Sequence, residues 1–505
     1  MGNKSNTKDK KSNNLGKDTI KLTFSKFLTL AITTVTGMIL VRIRTLEEYG
    51  TYSAMLLVIN LISALIMLGL PNCINYFIAR AETSEEKKHF LSVYYTLSTV
   101  LSGCVGLVLI LSIPLIELYF KNQYIGKFYY FLAIYPWAST IITSIDNVLV
   151  VYKKTNLLII YKFLYGLANL ITILVIQWLG YGFTTYMISM VIMNSVFAVI
   201  TYIICAFISK GLMPSFDKKI IKKIFIYSIP IGLATLVGTL SIEIDKLLIG
   251  YVADSEQLAI YSNAAKELPL TIVATSITAV LLPHIAIMIK NNKTNYAVKL
   301  WGDSIILSYV IISLLVAGIF IYAEDVMTLL YSEKYLSGIN VFRIYTLTLL
   351  IRCTYYGMIL SSVGQTTKIF ICSIANLVLN AILNPIFYLI WGIEGPALAT
   401  LVSLVISSFI QLILTSKVTH ISIKEIFPWV KILQITFINL PFIVAFWLLK
   451  KMLPIDLYIG SLGESLLLGG VWSILYFILL KDLILKCWNK INSTKPYFEN
   501  EYALF

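Results

Sequence analysis

About fourteen stretches of roughly 20 or more mostly apolar residues follow one another along this chain, divided by short polar turns. That pattern constrains the fold more than any motif does. Hydrocarbon offers a backbone N–H or C=O no hydrogen-bond partner, so a run of this length crosses lipid as a helix that satisfies its own backbone. The spans are expected at residues 22–43, 50–79, 90–116, 129–152, 156–179, 183–209, 224–251, 257–288, 301–323, 337–363, 367–390, 395–415, 430–449 and 462–482. A membrane β-barrel would alternate apolar and polar residues at every second position, which these unbroken runs do not. Composition agrees: 58% of the 505 residues are hydrophobic and 13% charged. An ordinary soluble domain has about 45–50% and about 25%. The expected fold is an all-α polytopic membrane protein.

Charge orients the spans. Residues 1–20 are polar and lysine-rich and read as a disordered basic cytoplasmic tail. The apolar run that follows is too long for the h-region of a cleavable signal. With the N-terminus inside and the spans alternating, about 28 Lys and Arg fall on the inner side, about 7 outside and about 5 within spans. Both termini are then cytoplasmic, in a multi-pass protein of a bacterial inner or plasma membrane. The net charge of +14 becomes a topology signal and an affinity for membrane lipids with anionic headgroups, with no call for nucleic acid. The six cysteines form no CxxC, and His89, His284 and His420 are scattered. No metal site and no cofactor are expected.

The first six spans recur in the next six. Glu47 to Ser53 aligns with Glu256 to Ser262, Leu70-Pro71 with Leu282-Pro283, Arg80 with Lys290, and Trp178 to Gly182 with Trp391 to Gly395, at offsets of 209, 212, 210 and 213. An even number of spans per repeat inserts both halves in the same orientation, as parallel repeats do in many transporters. The expected organisation is an N-terminal six-helix lobe at 21–209, an amphipathic cytoplasmic linker at 210–223, a C-terminal six-helix lobe at 224–415, two additional helices within 416–484, and a cytoplasmic tail at 485–505. The two lobes would enclose a central cavity.

Several segments resemble one family. "LEEYGTYS" after the first span, "GLPNCINYFIAR" closing the second, and "IYSIPIG", "IEIDKLLIG" and "LAIYSNA" across the seventh and eighth are similar to the polysaccharide-unit flippases of the multidrug/oligosaccharidyl-lipid/polysaccharide exporter superfamily. The resemblance covers roughly residues 20–485. It implies a transporter rather than an enzyme. Its cargo would be an undecaprenyl-pyrophosphate-linked oligosaccharide, moved from the cytoplasmic to the outer leaflet by alternating access for cell-surface polysaccharide biosynthesis. A polysaccharide polymerase and chain-length machinery would be its partners.

Ionisable residues within spans are costly and mark function by default. A pyrophosphate needs cations in a wet cavity, and Arg352, near the middle of its span, leads, with Lys246 and Lys266 next. Glu243, Asp245, Glu267 and Asp146 are the candidates for ion coupling. The plainer reading makes Asp146 with Lys162, and Glu243 or Glu267 with Lys246 or Lys266, charge pairs that pin helices. Arg42, Arg44 and Arg343 are expected to snorkel to the outer interface. Thr29, Thr33, Thr36 and Gly37 share one face of the first span, where close helix packing is the expected role. The alternative function is a multidrug antiporter of the same superfamily. It would need carboxylates for cationic drugs, yet none lies between Lys26 and Arg42. A membrane enzyme is disfavoured, because no loop exceeds about twenty residues.

Overall fold

A computed structural model of the protein describes residues 29–266, 268–453 and 455–493. All regular structure among them is helical. The chain forms two compact units, the first ending at Ala259 and the second starting at Ile260.

The first unit holds α1 (Thr29–Ile43), α2 (Leu46–Met67), α3 (Cys73–Arg80), α4 (Ser84–Leu111), α5 (Ile113–Phe120), α6 (Tyr129–Val151), α7 (Thr155–Trp178), α8 (Phe183–Ile208) and α9 (Lys218–Val252). Local chemistry fixes where the helices start. Thr45 and Thr83 each accept a bond from the amide three residues on, at 3.2 and 3.1 Å, and the Glu48 and Glu86 carboxylates accept in turn from the cap amides. Two capping boxes thus satisfy donors that the first helical turn leaves open. Local chemistry also breaks the second span. Leu68 and Gly69 take left-handed conformations, at φ of 43° and 72°, and Pro71 follows in a short 3-10 turn. The unit's core gathers Leu70, Ile74, Tyr94, Tyr95, Ile141 and Val148, all buried, from α2 to α6.

The stretch expected as an amphipathic linker, 210–223, takes two forms. Residues 211–217 carry no helix, and the basic stretch from Lys218 is the opening of α9, a single helix of 35 residues. Asp217 sets that start, accepting from the amides of Lys219 and Ile220 at 2.8 and 3.3 Å. His89, 3.1 Å away, and those two amides hold its carboxyl below the ordinary range.

The second unit continues α10 (Ser255–Ala264), which starts in the first, with α11 (Ile272–Lys290), α12 (Thr294–Ile321), α13 (Ala323–Leu330), α14 (Ile339–Ile351), α15 (Met358–Ser362), α16 (Thr366–Trp391), α17 (Gly395–Thr419), α18 (Ile423–Ile426), α19 (Trp429–Met452) and α20 (Asp456–Ser493). α12 is its axis, with Trp301, Ile305, Val310 and Ile312 fully enclosed. The two additional helices lie on it. Asn439 of α19 donates to Ser313 at 3.3 Å, and Tyr476 of α20 bonds the same hydroxyl at 3.1 Å. Past the end of α12, Asp325 accepts from Ser461 and Ser465 at 2.6 Å each and from Lys450.

Among the described residues eleven helical stretches are long and apolar enough to cross a membrane. One of them, Thr366–Thr419, is 54 residues long and holds both α16 and α17. The first expected span is described only from Thr29, and the tenth is divided into α14 and α15. The expected spans and the observed helices thereby correspond. The molecule is a multi-pass membrane protein.

Candidate functional site

Each unit carries a cavity, lined in part by polar side chains, where a membrane span is interrupted. In the second unit α14 stops at Ile351, and residues 352–357 run as irregular backbone before α15. The sequence gives little warning: Arg352-Cys-Thr-Tyr-Tyr-Gly357 has no proline. Tertiary contacts hold the break. The buried Trp301 indole donates to Thr354 Oγ1 at 3.0 Å, Cys353 is buried in the core, and Tyr356 stacks on Phe427 with centroids 6.0 Å apart. A Cβ on Gly357 would lie 2.8 Å from the Tyr355 ring, so any larger residue there makes that side chain shift.

The cavity at this break has a volume of 630 Å³. Arg352 lines it, half-buried, at the C-terminal end of α14, where the helix dipole favours a cation. Thr271, Thr275 and Thr278 form one wall from α11 and the turn before it, and Ser407 and Gln411 of α17 contribute to another. Tyr355 and Tyr356 supply aromatic faces. No carboxylate is among the described residues that line it. The arrangement suits an anion with hydroxyl-bearing neighbours: a guanidinium for charge-assisted bonds, side-chain hydroxyls and amides for sugars, and rings against which a sugar can lie.

The first unit's cavity, of 510 Å³, sits at the break in the second span. Asn60 and Ser63 of α2, Ser139 and Thr143 of α6, and Thr235, Thr239 and Glu243 of α9 face it. The break is locked by backbone. A Cβ on Gly232 of α9 would lie 2.2 Å from the Leu68 carbonyl carbon, and one on Gly69 would lie 2.6 Å from the Gly232 nitrogen. The Asn147 amide donates to the Pro71 carbonyl at 3.0 Å and accepts from Asn75 at 2.9 Å, tying α6 to the turn.

The residues singled out from sequence divide between these surroundings. Glu243 accepts from Lys246 at 2.8 Å and from Asn60 at 3.5 Å. The Glu243–Lys246 pair lies within one helix turn, so it does not pin two helices together, contrary to expectation. Asp146 and Lys162 do join α6 to α7, at 2.9 Å. Asp245 is buried in α9, 1% exposed. Lys266 is exposed in the break after α10, and Glu267 lies outside the described residues. Lys246 belongs to the first unit and Arg352 to the second.

Two further expectations change. Arg44 does not snorkel: it is 5% exposed, with its guanidinium 5.3 Å over the Tyr186 ring, because α1 ends beside α8 and the ring offers a cation–π partner. Arg343 lies over Phe320 at 5.8 Å and donates to its carbonyl at 3.3 Å. Among the described residues Gly37 takes no part in close packing, since none lies within 4 Å of where its Cβ would stand. Thr33 and Thr36 turn their hydroxyls back onto the carbonyls of Thr29 and Ile32, at 2.9 and 2.7 Å.

The threonines carry no signal in the sequence beyond their spacing. Thr271, Thr275 and Thr278, and Thr235, Thr239 and Glu243, recur at three- and four-residue steps, the spacing of one helix face.

The family model for polysaccharide biosynthesis proteins matches residues 39–340. A probable lipid II flippase MurJ from Rickettsia prowazekii (strain Madrid E) is 22% identical over 203 residues, 40% of this chain. That match spans only 36% of the relative's own length. Among solved structures, a lipid II flippase MurJ in an inward closed conformation superposes with a TM-score of 0.68 at 17% identity, covering 92% of this chain and 99% of its own. An inward-facing multidrug resistance MATE family transporter of the MOP superfamily gives 0.64 at 15%, covering 80% and 98%. The chain therefore shares the fold of these proteins, which are flippases and transporters rather than enzymes.

Proposed function

Since this chain belongs to the family of polysaccharide biosynthesis proteins, we propose that it is a flippase for a polyprenyl-pyrophosphate-linked oligosaccharide repeat unit. The cargo moves from the cytoplasmic to the outer leaflet by alternating access. The observation that carries this reading is Arg352, set at an interrupted helix in a cavity with hydroxyls, aromatic faces and no carboxylate among its described lining residues. A pyrophosphate cannot enter hydrocarbon bare, because an unpaired charge there loses its hydration without replacement. Arg352 supplies paired, charge-assisted donors, and the threonine and serine walls take the place of water around the sugars. Lys246 and Lys266 are secondary cations in this scheme. Lys246 reaches the cargo only after release from Glu243, which makes Glu243 a candidate to exchange a proton or cation during the cycle, ahead of Asp245, Asp146 and Glu267. Inner clusters of lysine support cytoplasmic termini and a bacterial inner-membrane location, where a polymerase and chain-length machinery would consume the product.

One observation favours a second reading, export of cationic drugs: the first unit's cavity presents a carboxylate, Glu243. Its bond to Lys246 within the same helix neutralises it, so the anion reading leads.

The test is mass spectrometry of polyprenyl-linked lipids from cells depleted of the protein and complemented with Arg352 variants. A single completed pyrophosphate-linked oligosaccharide should accumulate on depletion, clear on complementation with the unaltered chain, and persist with Arg352→Gln. An unchanged lipid profile with altered sensitivity to cationic dyes would replace this reading with the drug exporter.

A further inference from the structure

The first unit has another cavity, of 460 Å³, that the transport scheme does not use. Val100 of α4, Ile203 and Ala206 of α8, and Leu212, Pro214 and Phe216 of the segment before α9 form its apolar walls. The walls are fixed. Tyr202 beneath them accepts from Trp137 Nε1 at 3.2 Å and bonds Thr99, with its ring 5.3 Å from that of Tyr95. The connecting segment is strapped to α4, where Met213 N–H donates to Ser92 at 3.2 Å and Ser215 N–H to Thr96 at 3.0 Å. The mouth is open and greasy, with Ile203 61% and Phe216 66% exposed.

Lysines flank the segment that forms one of its walls. Lys88 lies along the connecting segment, its ammonium 3.4 Å from where a Gly211 Cβ would stand. Lys210 precedes the apolar stretch, and Lys218 and Lys219 follow it. The carboxylate nearest in sequence, Asp217, is already bonded to His89 and to two amides of α9.

We propose that this groove binds an anionic glycerophospholipid from the leaflet at the lysine-rich end, one acyl chain between α4 and α8 and the phosphate on Lys88, Lys210 and Lys218. Apolar walls accept a chain and reject a headgroup, and the lysines that flank the connecting segment select negative charge. The connecting segment joins the two sequence repeats, so a lipid seated here braces that joint.

The full-length protein in mild detergent is given phosphatidylglycerol and phosphatidylcholine of identical chains at equal concentration, and adducts are read by native mass spectrometry. Phosphatidylglycerol adducts should predominate. A Lys88→Gln/Lys210→Gln/Lys218→Gln chain should lose at least about fivefold of that preference, the worth of one lysine near an anionic surface. Ala206→Trp fills the groove and should remove the preferred adduct, with thermal unfolding unchanged. If that variant unfolds, Ile203→Asn at the mouth takes its place. Equal binding of the two lipids, survival of the preference in the lysine variant, or binding undiminished by the filled groove would each overturn the proposal. Displacement of phosphatidylglycerol by equimolar polyprenyl phosphate would overturn it too, assigning the groove to the cargo's tail.

Discussion

In the first unit the polar cavity is walled by α2, α6 and α9, and its ionised group is the carboxylate of Glu243; in the second, α11, α16, α17 and an interrupted span wall it, and the group is the guanidinium of Arg352. Both lie in halves of one sequence repeat, and both use irregular backbone where a membrane helix stops. Such backbone is tolerated at membrane depth only where it lines a cavity or is buried in protein. The breaks are not copies. Pro71 follows a left-handed Leu68-Gly69 turn, whereas its counterpart Pro283 sits inside the continuous α11. The repeat has kept its helices and diverged at its breaks and in its charge. Selection on a shared fold acts through packing, while selection on a site acts on the few residues that face the ligand.

The largest expected effect separates the two kinds of break. Gly232→Val forces a Cβ to within 2.2 Å of backbone in the first unit, where nothing can swing aside. It should destabilise the protein by about 3 kcal/mol or more, read as a lowered unfolding temperature in detergent. Gly357→Ala meets the Tyr355 ring, an exposed side chain that can rotate, and should cost about 1 kcal/mol or less. Equal losses would mean that both breaks are locked in the same way.

Charge gives the next contrast. Arg352→Gln removes charge-assisted bonds and should lower flipping of the lipid-linked cargo about 10–100-fold in reconstituted vesicles. With no ion gradient across the vesicles, Glu243→Gln, in the other cavity, should change it by less than about threefold, because a neutral amide still bonds Lys246 and Asn60 and no coupling ion is then needed. If the two substitutions are equally damaging, the cavities act as one charged site and the contrast between them fails. Lys246→Met probes the same point from the other side. It leaves Glu243 without its ammonium, and a carboxylate about 4 Å from a bound cation contributes about 1 kcal/mol even in water, about fivefold in affinity. Cationic dye binding should rise accordingly, and no rise would show that the first cavity is closed to such ligands.

Much of this architecture is legible in the sequence because run length alone dictates membrane helices. Arg352 is legible too, since a cation that deep is costly unless it faces a cavity. What escapes is set by tertiary contact. Nothing in Arg352-Cys-Thr-Tyr-Tyr-Gly357 breaks a helix by propensity; the Trp301–Thr354 bond and the Tyr356–Phe427 stack do so across the fold. The hydroxyl walls escape for another reason. Serine and threonine are cheap in a membrane helix, where each can bond the carbonyl one turn back, so their presence carries no warning until their spacing is read. An end-of-span cation such as Arg44 usually reaches water; Tyr186, distant in sequence, is what holds it inside.

The smallest effect sharpens the comparison within one unit. Gly106 of α4 is a contact glycine: a Cβ there would lie 2.2 Å from the Ala133 carbonyl oxygen of α6. Gly37 of α1 has open space in the same direction, although its sequence context of Thr33 and Thr36 looks equally like a close-packing stripe. Alanine is the better helix former by about 0.8–1.0 kcal/mol, so Gly37→Ala should raise stability by about that amount or leave it unchanged. Gly106→Ala should lower it by roughly 1–3 kcal/mol through overpacking of two backbones. Thermal unfolding of both variants in one detergent decides the matter. A loss at Gly37 would place another helix against that face of α1 and restore the packing role that spacing alone suggests.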